Sequence, residues 1–278
     1  MTRVYASIVI PVYNQYESLC VVIRAFNYQT FPKDYFEIVI VNDGSTDETC
    51  GIDADDIYTQ YGLQTIVLHQ KNMGRAAARN AGVKLARGGK IIFCDADRFP
   101  APQFVAQHMC FQDENKAIVV GASYDYFGKC IKLATSEFDW DTILRFSRTP
   151  SYFKKIMSIY DTITTTSSLA WLSFLVGNAS VCKSIFYEVG GFNESFKEWG
   201  FEHFDLALRM HRAEHKFYLN KEACNYHLPH ARPPKFYENM IIKNTELFTS
   251  LHPNVSSETF QNVLLTNMTI EEAEEGML

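Results

Sequence analysis

The chain has no C-x-x-C pair, no internal repeat, no low-complexity tract and no apolar run of membrane-spanning length. Each absence removes a class of protein. The 7 cysteines (Cys20, Cys50, Cys94, Cys110, Cys130, Cys182, Cys224) are odd in number and scattered. That argues against a disulfide scaffold or zinc ribbon and for a reducing compartment. A membrane helix needs roughly 20 consecutive apolar residues, and the nearest approach, Ser168 to Val176, is far shorter. The opening Met1 to Asn14 is interrupted by Pro11 and lacks a small-residue cleavage site, so no secretory leader is expected. Positive charge is also scarce: 26 Lys and Arg stand against 32 Asp and Glu, a net charge of −6. A general nucleic-acid surface needs a basic face, so nucleic acid is not an expected partner. The expectation is a cytoplasmic protein with no transmembrane segment. Peripheral association with a membrane stays open.

What is present is enough for a packed core. The 278 residues are 47% hydrophobic and 21% charged, which suits one large α/β domain or two small ones. Tyr5 to Val12, Phe36 to Val41, Gln64 to Leu68 and Lys90 to Cys94 read as short buried strands. Between them, Glu17 to Tyr28 carries Leu19, Val22, Ile23 and Phe26 at helical spacing. Ser45 and Glu48 have the spacing of a capping box and predict a helix start there. Gly74 to Ala86 is Ala- and Arg-rich and ends before Gly88-Gly89, a helix-stop signal. Alternating strands and helices with short joints predict a mostly parallel sheet covered on both faces. Beyond residue 101 the regularity drops. Ala117 to Ala122 reads as a strand, Glu137 to Trp171 as mixed helices and loops, and Glu271 to Glu275 as an acidic tail that is a solvated helix end or disordered.

In such sheets ligands bind beyond the carboxyl ends of the strands. Three unrelated loops fall at such ends: Pro11-Val12-Tyr13-Asn14, Val41-Asn42-Asp43-Gly44-Ser45, and Asp95-Ala96-Asp97. Asp95 and Asp97 are close enough to share a hard divalent cation, Mn²⁺ or Mg²⁺, that would neutralise a diphosphate. Asp97 is the more direct ligand. Asp43 could accept a hydrogen bond from a base N–H. Arg75 and Arg79 lie four apart on one helical face, where a guanidinium fork suits phosphate; a solvated basic face would have the same pattern.

This combination resembles family 2 glycosyltransferases of the GT-A fold. The residues that carry the likeness are Pro11 to Asn14, Asn42 to Asp47, Asn72-Met73-Gly74 through Arg79-Asn80-Ala81-Gly82, and Asp95 to Asp97. Gly190 to Glu194 and Glu198-Trp199-Gly200-Phe201-Glu202 resemble the galactosyltransferase-like acceptor-side motif. The likeness implies a Rossmann-like nucleotide-binding half (1–100), an acceptor half (101–230) and a helical extension (231–278). It implies a nucleotide-diphosphate sugar donor, usually UDP-linked, and an inverting displacement on an acceptor that the sequence does not name. It also implies donor contacts from Pro11, Val12, Tyr13, Asn14, Asp43, Asn72, Gly74, Arg75, Arg79, Asp95, Ala96, Asp97, Gly177 and Asn178. Trp199 and Gly200 would face the acceptor. His227 or His230 would complete a metal site with Asp97 and Asp95.

One departure stands out. Relatives commonly have Trp-Gly-x-Glu-Asp, the Asp being the base, whereas here His203 follows Glu202. Glu202, His203 and Asp205 are therefore all candidates for the base. Two other readings follow from the same residues. One is a non-catalytic sugar-nucleotide binder. The other is a sugar-nucleotide nucleotidyltransferase, for which the Gly-rich basic signature near the N-terminus is missing.

Overall fold

A computed structural model describes residues 3–110, 117–128, 137–197 and 199–277. Cys130 and Glu198, named above, lie outside them, as does part of the 101–230 half. Four strands, β1 (Ala6–Val12), β2 (Phe36–Asp43), β3 (Thr65–Gln70) and β4 (Lys90–Cys94), pair in parallel in the order β3-β2-β1-β4. All residues of β2 and β4 are buried, which is why both read as largely apolar runs, with the charged Glu37 and Lys90 buried within them. Side-chain alternation splits the core. Ile8, Ile10, Ile38 and Ile40 face helix α1 (Tyr16–Phe26), while Val9, Val39 and Val41 face helix α3 (Arg75–Leu85). A Cβ at Gly82 would stand 2.5 Å from Val9 Cγ1, so the missing side chain lets α3 lie against the sheet.

The sheet continues with strands of mixed direction. β5 (Arg98–Pro100), β6 (Ile118–Tyr126), β7 (Ser147–Arg148), β8 (Asn178–Cys182) and β9 (Phe217–His227) complete the order β3-β2-β1-β4-β8-β6-β9-β5, with β7 on β6. β8 runs antiparallel to β4, with Cys94 opposite Asn178. Its start therefore sits beside the carboxyl end of β4. β5 and β9 pair antiparallel, Arg98 opposite His227. This brings the start of β5 and the end of β9 to the same rim.

The remaining helices are α2 (Ala54–Tyr61), α4 (Phe104–Met109), α5 (Trp140–Arg145), α6 (Ser151–Met157), α7 (Lys183–Glu188), α8 (Glu202–Arg212), α9 (Phe236–Leu251), α10 (Ser257–Leu264) and α11 (Ile270–Glu274). Phe248 of α9 and Phe260 of α10 sit 4.7 Å apart, centroid to centroid, and Phe248 stacks on Trp171. The C-terminal helices thus share the core under α8. Of the two expectations for the acidic end, the solvated helix end is the one found, with Glu271, Glu272, Glu274 and Glu275 exposed. Thr269 and Glu272 form a capping box, and Ile270 and Ala273 of α11 are buried.

The Ser45–Glu48 capping box does not form. Ser45 Oγ accepts from the Asn14 amide instead, and Asn42 Oδ1 accepts from the Ser45 amide. A short 3-10 turn, Glu48–Gly51, is capped by Asp47, and α2 starts later under Asp53. Hydroxyls compete for loop amides as readily as for helix amides, and here the loop takes Ser45.

Candidate active site

The rims of β1, β2, β4 and β9 enclose a cleft of about 420 Å³, within the ~300–1,000 Å³ usual for small-molecule sites. Asn14 is in the left-handed region, φ 51°, which Asn tolerates. Its side chain accepts from the Thr46 amide, tying the first two loops together. Asp43 is buried and well occupied. Its Oδ1 accepts from Gln70 Nε2 (2.7 Å) and the Met73 amide (2.9 Å), and its Oδ2 from the Gly74 amide (2.9 Å). A carboxylate has about four acceptor sites, so one remains for a ligand N–H. Pro11, Val12, Tyr13, Asn72, Gly74, Arg75, Ala96 and Trp199 also line the cleft.

Arg79 is not the solvated basic face that its helical spacing allows. It is 1% exposed. Its Nη1 donates to Glu202 Oε1 and its Nη2 to Asp95 Oδ1, both at 2.8 Å. The guanidinium is committed to two carboxylates, and only Arg75 of the two is without such a clamp in the described contacts. Burial opposes the charge on Arg79, but Asp95 and Glu202 more than offset it and raise its pKa.

Asp97, His227 and His230 form the metal-type cluster, with one ligand atom from each within 4.8 Å of the others. Asp97 Oδ2 is 3.7 Å from His227 Nε2 and 3.7 Å from His230 Nδ1. His227 Nδ1 pairs with Asp125 Oδ1 at 2.9 Å. That bond fixes the ring and leaves Nε2 facing Asp97, the usual support of a ligating histidine. One carboxylate and two imidazoles fit Mn²⁺ better than Mg²⁺, which prefers oxygen. Burial would raise the Asp97 pKa, yet the neighbouring His227, Arg98 and His230 hold it well below the usual carboxylate range. Asp95, the other expected ligand, stands apart from this cluster on the Arg79 side.

The base candidates separate. Phe201 precedes α8 with φ 73°, a strained turn for a bulky residue that sets Glu202 at the helix start. Glu202 Oε2 and His203 Nδ1 are both buried, have no hydrogen-bond partner among the described residues, and lie 4.0 Å apart. Burial raises the Glu202 pKa, but His203, Arg79 and Arg75 together bring it well below normal. None of the three base candidates lines the cleft wall: Glu202 and His203 sit behind Arg79, which does, and Asp205 is further away. Its Oδ2 accepts from Arg209 (2.6 Å) and its Oδ1 pairs with His252 Nε2 (2.9 Å), so it anchors α8 to the end of α9. Asn178 is likewise inside the sheet. Its Oδ1 meets His108 Nε2 at 2.9 Å and its amide donates to Ala122 and Ala223 carbonyls. Gly177 approaches Asp95 and Arg98. Gly200 does not line the cleft, whereas its neighbour Trp199 does.

The sequence reading missed Gln15, Arg98, Lys197 and Tyr237 as lining residues. Gln15 donates to Asp97 Oδ2 at 3.2 Å. Arg98 had a local signal, as the cation directly after Asp97. Tyr237, from the extension, meets Trp199 edge-to-face at 5.0 Å and had none.

The fold, with its parallel first half and mixed second half, is the GT-A fold. The glycosyl transferase family 2 model matches residues 7–173, and the chain belongs to that family. A second model, the N-terminal domain of galactosyltransferase, matches residues 165–231. A validoxylamine A glucosyltransferase from Streptomyces hygroscopicus subsp. jinggangensis is 27% identical over 91% of this chain and 62% of its own length. The chain therefore spans about three fifths of that relative. The glycosyltransferase AglE of Haloferax volcanii is 30% identical over 45% of this chain and 41% of its own length. Among solved structures, S. aureus TarS 1-349 in complex with UDP superposes with a TM-score of 0.64 at 18% identity, over 94% of this chain and 70% of that one. GalNAc-T7 with UDP, GalNAc and Mn²⁺ gives 0.61 at 17% identity, over 82% and 44%.

Proposed function

We propose that this chain transfers a sugar from a UDP-sugar to an acceptor hydroxyl or other nucleophile, with inversion and with help from a divalent cation. The observation that carries the reading is the placement of Asp43, Arg75, Asp97, His227 and His230 around one cleft. Asp43 keeps one acceptor site for a base N–H, and the solved neighbours hold UDP or a UDP-sugar. Five cationic residues (Arg75, Arg79, Arg98, Lys197, Arg232) and three carboxylates line the cleft, a balance that suits a diphosphate. Asp97, His227 and His230 would hold the cation. When bound, it supplies charge stabilisation to the leaving diphosphate.

The chain's own residues do the rest. Asp43 and Asn14 set the nucleoside end, and Arg75 faces the charged middle. Trp199, with Tyr237 at its edge, offers an aromatic wall for an acceptor. The Glu202–His203 pair supplies the base. Arg79 holds Glu202 ionised, and the acceptor proton passes to the unpartnered edge formed by Glu202 Oε2 and His203 as the nucleophile attacks. The donor half is 1–100, the acceptor half 101–230, and the 231–278 extension adds Arg232 and Tyr237 to the cleft wall. The described cysteines are free, and no helix among the described residues is long and apolar enough to cross a membrane; a cytoplasmic site of action is part of the proposal.

Glu202→Gln and His203→Ala test this. The base variant should lose about 10²–10⁴ in kcat, with UDP affinity retained. Near-normal turnover in both would remove the pair from the mechanism.

A further inference from the structure

Arg98, the residue after the acidic tripeptide, is a cation of the cleft to which the mechanism above gives no role. Arg98 closes the turn, its amide donating to the Asp95 carbonyl at 3.0 Å. It then opens β5 opposite His227. Directly opposed residues in an antiparallel pair project from the same face, so the Arg98 side chain emerges beside the His227 ring. Its Nε and Nη1 are buried and have no hydrogen-bond partner among the described residues. The nearest carboxylate oxygen, Asp95 Oδ2, is 3.7 Å from Nε, beyond hydrogen-bond reach. Asp95 already takes its short bond from Arg79.

The berth for this guanidinium depends on Gly177. A Cβ there would lie 2.5 Å from Arg98 Nε and 2.6 Å from Cδ. The fold thus holds a charged fork in place and leaves its inner donors unmatched. Buried charged donors without acceptors are costly and uncommon, and at a cleft wall they point to an acceptor that the ligand brings. Asp97 and His227 lie alongside, so a cation in their cluster would repel Arg98 unless an anion lay between them.

We propose that Arg98 is a donor-recognition residue, whose fork takes an anionic oxygen of the nucleotide sugar beyond the α-phosphate. The inference rests on the nucleotide-sugar reading above. The oxygen belongs either to the β-phosphate or to a carboxylate on the sugar, the two anionic groups that such a donor can present there.

Calorimetric titration of UMP, UDP, UDP-glucose and UDP-glucuronate with Mn²⁺ distinguishes them, using the wild type, Arg98→Gln and Gly177→Ala. Weakening of UDP by about tenfold or more, with UMP little changed, assigns the β-phosphate. Unchanged UDP and UDP-glucose, with UDP-glucuronate weakened by about tenfold, assigns the carboxylate. Gly177→Ala should give the same pattern, because it displaces the guanidinium without removing its charge. It decides the matter if thermal melting shows Arg98→Gln unfolded. Wild-type affinities for all four ligands in a folded variant would overturn the role of Arg98 and leave the nucleotide-sugar reading intact. A wild type that binds none of them would overturn both.

Discussion

Arg79 and Glu202, 123 residues apart in the chain, meet as a buried ion pair at 2.8 Å. The same guanidinium holds Asp95 at 2.8 Å. One side chain of α3 therefore joins the strand end that begins the acidic tripeptide to the helix that carries the proposed base. Phe192 lies under it, 5.7 Å from the guanidinium carbon to the ring centroid.

Arg79→Met leaves Glu202 buried and uncompensated. Removing one partner of a buried pair costs about 3–5 kcal/mol, and urea unfolding should show a loss of that order. Adding Glu202→Gln should return part of it. If the two changes add to within about 0.5 kcal/mol, the pair is not energetically coupled and the joining role fails.

His108 gives a pH-dependent signature. It is fully buried between Ser180 and Asn178, with Nδ1 3.0 Å from Ser180 Oγ and Nε2 2.9 Å from Asn178 Oδ1. Burial, aided by Lys90 and opposed by the Asn178 bond, pulls its pKa down to about 3. An unfolded histidine titrates near ~6.5. Above that pH both states are neutral and the stability is fully present. Below it only the unfolded chain takes the proton, so stability is lost as pH falls toward the folded value, at ~1.4 kcal/mol per pH unit. Between pH 6.5 and 5, the wild type should lose about 2 kcal/mol more than His108→Gln in urea unfolding. His227, whose pKa burial lowers but Asp125 and Asp97 raise overall, acts in the opposite sense and is common to both proteins. Equal pH slopes would show that His108 is protonated in the fold.

The parallel half and its ligand rim were legible because both are local. Largely apolar runs mark strands buried on two faces, and polar loops at their carboxyl ends must converge in a parallel sheet. The Ala-rich run to Ala86 and the Gly88-Gly89 stop placed α3. Side-chain partners were not legible. Arg79 reads as a phosphate binder until Glu202 arrives from the far half. Asp205 reads as a base until His252, 47 residues on, claims it. Ser45 fits a helix cap by spacing, but Asn14 takes its hydroxyl from another loop. The extension looked like a tail because neither Tyr237 nor Phe248 sits in a motif. Only the packing of α9 on α8 makes one a wall of the cleft and the other part of the core.

The central claim is a nucleotide-sugar cleft with a metal site at Asp97, His227 and His230. Its most direct test is calorimetric titration of UDP, GDP and CDP into the purified chain, first with Mn²⁺ and then with EDTA. The account predicts binding selective for UDP that is lost on chelation and in Asp97→Ala. No nucleotide binding under either condition, or UDP binding indifferent to metal and to Asp97, would contradict it.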